Sequence, residues 1–440
     1  MREQVSTFSI VTTVWQSLCR FGRYRVGGLA LVLLASGLGA CSESYNGGAA
    51  CPVLCPTKDI AFRDTIIDAI SVDTSLGGYP ELGLSSLLLL ANRPDTLETR
   101  GVIRFDVTPT SFLPNGGSAS ESITAVDSVY LTLRFDTTGS KGSVPVTIEA
   151  YDVDTTDNDS SQVVVKSLFR PDRLVASATM TPATAGDSLR IRLPNAFLKT
   201  KIDSADRVRI GLRMTNGAGQ VRIVSFSAGT GAPSITFDPS TDTVYSPLTI
   251  RPSTSITDAT TDVNFAYTVY GITMKGSLPP ASTALQIGGF PAYRTYLRFD
   301  IPKRITDSST IVRAEVLFTQ LPSRFVDVND SVSILPIVPT TTDVVTDLRR
   351  VLDLSADGFF ASLDSTRLVP GDSGVRAINI LTLARQWSAL PSNVPRAIAF
   401  RMSGEGAQPA ELRFYSSHAS PALRPRVRIT YLPRTQNAIP

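Results

Sequence analysis

The residues able to do chemistry in this 440-residue chain are few. Its single histidine, His418, sits in Ser416-Ser-His-Ala-Ser420. A histidine-based nucleophilic triad would need it as base, yet no Gly-x-Ser-x-Gly turn presents a serine, and hydroxyls this near along the chain rarely face the ring productively. His418 is read as a loop residue. Paired carboxylates can hydrolyse glycosides without histidine. Asp106 and Asp300, however, recur at one place in two similar strands, which fits a task shared by the fold, such as pairing with Arg104 or Arg298. No phosphate-cradling loop and no Gly-x-Gly-x-x-Gly before a helix occurs. The richest acidic run is Asp152-Val-Asp-Thr-Thr-Asp-Asn-Asp159. Asp152, Asp154, Asp157 and Asp159 offer the hard oxygens that calcium prefers, although the run lacks the central Gly and final Glu of an EF-hand; a solvated turn is the alternative. Beyond that structural calcium no cofactor is expected. Sugar rings have apolar faces and hydroxyl rims, so an aromatic platform with polar neighbours would suit a glycan. Tyr293, Arg294, Tyr296 and Tyr415 are the candidates, each of which can equally be sheet decoration, and Trp387 is read as core.

The N-terminus reads as an address. Arg20, Arg23 and Arg25 precede an apolar run from Val26 to Leu38, followed by Leu38-Gly39-Ala40-Cys41. A basic flank, a short apolar core and small residues at the cut make a signal peptide over 1–40. The closing residues resemble a bacterial lipobox, which implies lipidation of Cys41, export, and anchoring in the cell envelope; Ser42 favours the outer membrane. The apolar run falls short of the roughly 20 residues a spanning helix needs. Residues 1–40 carry a net +3, equal to the net charge of the whole chain, so the mature protein is near neutral and gives no charge argument for nucleic-acid binding. Two further cysteines, Cys51 and Cys55, lie in a Pro-, Gly- and Ser-containing tether over 41–59. Export lets them form a small local disulfide or remain thiols; a metal site would need more ligands.

The elements that must position these groups come in two copies. GVIRFDV at 101–107 returns as TYLRFDI at 295–301, RIGLRMTNGAGQ at 209–220 as AIAFRMSGEGAQ at 397–408, and SITF at 234–237 as RITY at 428–431. The markers Arg104/Arg298, Met214/Met402 and Thr236/Thr430 are offset by 194, 188 and 194 residues. Within each copy the apolar period is two, as in Val129-Tyr-Leu-Thr-Leu-Arg-Phe135 and Ala314-Glu-Val-Leu-Phe318, with turns rich in Gly, Pro, Asp and Ser between runs. The pattern predicts an all-β protein of two tandem, jelly-roll-like β-sandwich domains, copy 1 over 60–240 and copy 2 over 244–433, each sheet with one wet polar face. Short helical turns are expected at 194–202 and 380–387, the latter packed by Trp387.

In copy 2, Arg294 to Pro302, Ile311 to Phe318, Ile378 to Trp387, Phe414-Tyr-Ser-Ser417 and Arg426 to Tyr431 follow in an order that resembles the DNRLRE-type domain, a carbohydrate-binding-module-like β-sandwich of secreted and cell-surface bacterial proteins. The resemblance covers about 245–433. It implies a non-catalytic, lipid-anchored envelope protein that binds polysaccharide. The alternatives are a structural or adhesive protein with envelope-protein partners, and thirdly a carboxylate-pair glycoside hydrolase or lyase. Binding is expected in copy 2, with copy 1 as a stalk beside the tether.

Overall fold

The computed structural model describes residues 61–79, 87–105, 108–114, 117–155, 162–225, 231–239, 247–252, 269–339, 365–391 and 393–434. Residues 60–440 form one compact unit. A leading pair of strands, β1 (Arg63–Ile67) and β2 (Ile70–Tyr79), comes first. The first body follows: β3 (Leu87–Arg93), β4 (Leu97–Phe105), a small hairpin of β5 (Ser111–Phe112) and β6 (Glu121–Ser122), β7 (Asp127–Lys141), β8 (Val146–Asp152), β9 (Leu174–Met180), β10 (Ser188–Leu193), β11 (Val208–Thr215), β12 (Gly219–Val224) and β13 (Ser234–Asp238). A second leading pair is β14 (Leu248–Ile250) and β15 (Val269–Lys275). The second body is β16 (Ala284–Gly288), β17 (Ala292–Phe299), β18 (Ser309–Leu321), β19 (Val332–Ile337), β20 (Thr366–Leu368), β21 (Gly374–Asn379), β22 (Arg396–Met402), β23 (Glu411–Tyr415) and β24 (Arg426–Pro433). Short helices α1 (Gln162–Ser167), α2 (Asn195–Asp203), α3 (Lys303–Thr306) and α4 (Leu381–Gln386) lie between strands.

These strands make two large curled antiparallel sheets of one topology. One runs β14-β13-β7-β12-β3-β4-β11-β8-β9, with β10 on β7 and β15 on β4; the other runs β1-β24-β18-β23-β16-β17-β22-β19-β20, with β21 on β18 and β2 on β17. Substituting each strand for its repeat counterpart turns one order into the other. Each sheet folds over itself because one long strand serves both layers. The first part of β7 pairs with β13 and β10, and its end pairs with β12. β18 does the same with β24, β21 and β23. The alternating residues named above fill the space between layers. Val129, Leu131, Leu133 and Phe135 join one core, while Ala314, Val316 and Phe318 join the other. Phe318 meets Phe400 of the facing layer edge-on, ring centroids 5.3 Å apart. The fold is the all-β tandem sandwich that the period of two requires.

The leading strands are exchanged between the copies. β1 and β2 precede the first body but pair with β24 and β17 of the second. β14 and β15 precede the second body but pair with β13 and β4 of the first. The sheets therefore cross the contiguous split at 240 and 244. The first sandwich comprises 87–275, and the second comprises 61–79 together with 284–434. A further consequence is that residue 61 onward enters the molecule through the second sandwich, not the first.

The layer holding β7 and β10, and the one holding β18, β21 and β24, keep the alternating wet face that the sequence pattern implied, but the opposite layers are also covered on their second face. Val102 and Tyr151 pack under Val165 of α1 and under Leu168 and Phe169 just after it. Tyr296 packs with Ala292, Ile337, Ala397 and Ala399, and with Val72 and Leu76 of the exchanged β2. The run Leu87-Leu88-Leu89-Leu90 is apolar throughout because Leu88 and Leu90 face the first core while Leu89 turns, with Ala91 and Leu97, to Phe290 and Val326 of the second half.

Candidate functional site

An open cleft of about 840 Å³ lies at one end of the first sandwich. Four stretches meet there: the end of β8, the 3₁₀ turn Pro171–Arg173 with the start of β9, α2, and the turn at Asp206. α2 is placed by Leu198 and Ile202, one helical turn apart and both buried in the core. Lys201, beside them on the helix and itself buried, places its ammonium 3.1 Å from Asp152 and 3.3 Å from Asp154. Arg207 reaches Asp154 at 3.2 Å and donates to the Thr155 carbonyl at 2.6 Å. Arg173 donates to the carbonyl oxygens of Asp152 and Asp154 at 3.0 and 2.7 Å, holding the strand end. At the rim, exposed Arg170 and Asp172 pair at 3.1 Å. Leu168, Leu174, Val175 and Phe197 add apolar surface, of which Leu174 is 44% exposed. The cleft thus combines fixed carboxylates and cationic donors with apolar side chains, a mixture suited to a hydroxyl-rich ligand with apolar faces.

Two of the four positions expected to ligate calcium are engaged by cations of the protein. Asp152 and Asp154 turn their oxygens to Lys201 and Arg207, so ammonium and guanidinium stand where a cation would bind. Asp157 and Asp159 lie outside the described residues, as do Asp106, Cys41, Cys51 and Cys55. Among the described residues no three His, Cys, Asp or Glu side chains gather to hold a metal.

Three of the four residues proposed as a sugar platform are buried: Tyr296 at 0%, Arg294 at 3% and Tyr293 at 9% exposure. The exchanged β2 is one physical reason. It lies along β17, and a Cβ on Gly77 would come within 2.5 Å of the Tyr293 ring, so that ring is roofed by β2 backbone. Burial, and then the charge of Glu411, push the Tyr293 hydroxyl above its ordinary value, against the opposing effect of Arg413. Arg294 is spent on Glu405, with Nε 3.0 Å and Nη2 2.7 Å from the same oxygen. Tyr415 is half-buried near the end of β23, so the four form no exposed aromatic surface. Trp387 is fully buried in the second core. His418 is 68% exposed, 3.9 Å from Asp73, and Asp73 is already bonded by Ser417 N and Oγ at 2.6 and 2.8 Å.

A second cleft, about 430 Å³, opens where the two halves meet, lined by Lys275, Leu278, Phe325, Glu411 and Arg413 among others. Glu411 is 1% exposed. It accepts from Gln286 at 2.9 Å, Ser323 at 3.1 Å and Arg413 at 2.7 Å, which leaves it a structural anchor rather than a reactive acid.

Sequence reasoning located the acidic run but missed Lys201, Arg207 and Arg173 as its partners. The signal available was the pair of lysines in Leu198-Lys-Thr-Lys201 within the helical turn expected at 194–202.

No family model matches the chain, and no curated protein matches it. Among solved structures it is similar to the infectious bursal virus derived T=1 particle, at 11% identity over 86% of this chain and 75% of that one, with a TM-score of 0.13. It is likewise similar to broad bean stain virus, at 6% identity over 86% and 93%, with a TM-score of 0.15. Scores this low carry no argument about fold or function.

Proposed function

We propose that this protein is a non-catalytic cell-envelope binder, exported and lipid-anchored through Cys41 at the outer membrane, that holds polysaccharide in the cleft of its first sandwich. The observation that carries the reading is the composition of that cleft: carboxylates and cationic donors fixed by one another beside apolar Leu174 and Phe197. Such groups exchange hydrogen bonds with hydroxyl rims while the apolar side chains meet sugar faces. The resemblance of residues 245–433 to a carbohydrate-binding-module-like domain points to the same ligand class, although the cleft belongs to the other sandwich. The adhesive alternative is favoured by one feature, Leu278, which is 75% exposed beside half-buried Phe325 at the second cleft.

Glycan-array binding followed by calorimetry on the mature chain tests the proposal. Asp172→Ala and Leu174→Ala, both at exposed positions, are expected to leave the melting temperature unchanged; Asp172→Ala should weaken the selected glycan about tenfold, the effect of one charge-assisted hydrogen bond. Retention of no glycan, with capture of an envelope protein that depends on Leu278, would replace this reading with the adhesive one.

A further inference from the structure

We infer that the wet outer face of β7, β10 and β13 in the first sandwich is a separate binding surface for acidic polysaccharide. None of its arginines lines the cleft, and the surface stands whether or not the cleft holds a ligand. Alternation along β10 sends Ile191 and Leu193 into the core and leaves Arg190 and Arg192 exposed, about 7 Å apart along the strand. In register beside them on β7 are Thr132 and Tyr130, with Arg134 opposite Ser188. Arg190 stacks over the Tyr130 ring at 4.1 Å, and Arg192 lies 5.9 Å from it. Stacking orients a guanidinium and leaves its N–H edge to donate to a carboxylate or sulfate. Ser234 and Thr236 of β13 and Thr249 of β14 continue the face with hydroxyls.

The charge on this face is positive. Arg134, Arg190, Arg192 and Arg222 stand on β7, β10 and β12 against Asp127, Asp136 and Asp187, even without exposed Arg251 after β14. Arg134 pairs with Asp187 at 3.1 Å and Arg222 with Asp136 at 3.3 Å. Asp127 accepts from the Ser128 amide and from Asn195. Among the described residues Arg190 and Arg192 have the Tyr130 ring as partner and no carboxylate within ion-pair distance. The matching face of the second sandwich is different. Arg313, Arg376 and Arg428 there each hold a carboxylate, on Glu315, Asp372 and Asp64, and Ile66 and Val375 expose apolar surface. An acidic polysaccharide suits the first face because its acid groups meet the two guanidinium edges while its hydroxyls meet the Ser and Thr row. A membrane suits it less, since no large apolar side chain is exposed on these strands for insertion. Nucleic acid suits it less, since the Tyr130 ring is covered by Arg190 and offers bases no platform.

The test measures binding of the mature chain to polygalacturonate and dextran sulfate, with phosphatidylglycerol vesicles alongside. Binding to both polymers is expected, weakening between about 50 and 500 mM salt as the ion pairs are screened. Arg190→Gln with Arg192→Gln should leave the melting temperature unchanged, because neither side chain holds a carboxylate, and should weaken both polymers about tenfold. Arg313→Gln with Arg428→Gln, on the matching face, should change binding less than about twofold. No binding to either polymer overturns the inference. So does binding that survives loss of Arg190 and Arg192, or that is lost in the cleft variant Asp172→Ala instead. Vesicles bound through the same two arginines more tightly than either polymer would make the surface a membrane contact and overturn it as well.

Discussion

Asp327 shows how a single side chain joins the halves. Its carboxylate is 4% exposed, and it takes Arg93 at 2.9 Å and Lys141 at 2.9 Å from the first sandwich, with Gln220 donating at 3.3 Å. Burial pushes this carboxyl up, but Lys141, Arg93 and Gln220 together outweigh it and hold it below the ordinary carboxylate value. A group depressed in this way contributes stability that is fully present above its unfolded value near pH 4 and is lost as pH falls through the lower folded value. Asp327→Asn keeps the positive φ of 54° that this position adopts, which Asn tolerates. It should cost about 1–3 kcal/mol at neutral pH by removing the buried partner of Arg93, while Lys141 keeps Asp330, and remove part of the loss of stability on acidification below about pH 5, readable by denaturant melts at descending pH. At this scale sequence was a partial guide. Trp387 was legible as core from its helical spacing, but Tyr293, Arg294 and Tyr296 were not legible as buried. Alternation assigns a residue to a face of its own strand; what covers that face is decided by distant segments, here β2.

Elements were more legible than sites. The helical turn expected at 380–387 is α4, with Ile380, Leu383, Ala384 and Trp387 all in the second core. The one expected at 194–202 is α2, which uses Leu198 and Ile202 in place of a Trp. Truncating Trp387 to Ala empties a fully buried position and should cost about 3–5 kcal/mol, seen as a lowered denaturant midpoint; an unchanged midpoint would mean that α4 does not close the second sandwich. Gly77 makes a similar point for β2. Gly77→Ala places a methyl 2.5 Å from the Tyr293 ring and should cost about 1–3 kcal/mol as that ring is displaced. Ala at exposed Gly186, where a Cβ meets nothing within 4 Å, serves as the control. The cleft was less legible than these elements because its charges come from β8, α2 and the turn before β11, separated by up to about 50 residues and joined only by the fold.

Across the whole molecule, duplication was legible from three repeated motifs, and the two sheets share one topology as those motifs require. The exchange of leading strands was not legible, for a physical reason. Because the two bodies are copies, each leading pair meets equivalent partners in either one: Asp64 lies opposite Thr430, and Thr249 lies opposite Thr236, the repeat counterpart of Thr430. Strand exchange between like units changes connectivity while keeping the same kinds of contact. It follows that a fragment of residues 80–275 contains every strand of the first sandwich, whereas a fragment of 60–240 lacks β14 and β15 and leaves β13 and β4 unpaired at one edge. The former should show dispersed amide resonances and a cooperative melt, and the latter should not.

The most direct test of the exchange is a pair of cysteine substitutions in the mature chain carrying Cys51→Ser and Cys55→Ser. Asp64→Cys with Thr430→Cys joins residues in register across β1 and β24, at an exposed site where Arg428 now bonds Asp64 at 2.8 Å. Asp64→Cys with Thr236→Cys joins the residues that would meet had β1 stayed with its own body. The exchanged topology predicts an intrachain disulfide in the first pair, seen by non-reducing peptide mapping of the monomer, and none in the second. A bridge between 64 and 236, with none between 64 and 430, would contradict it.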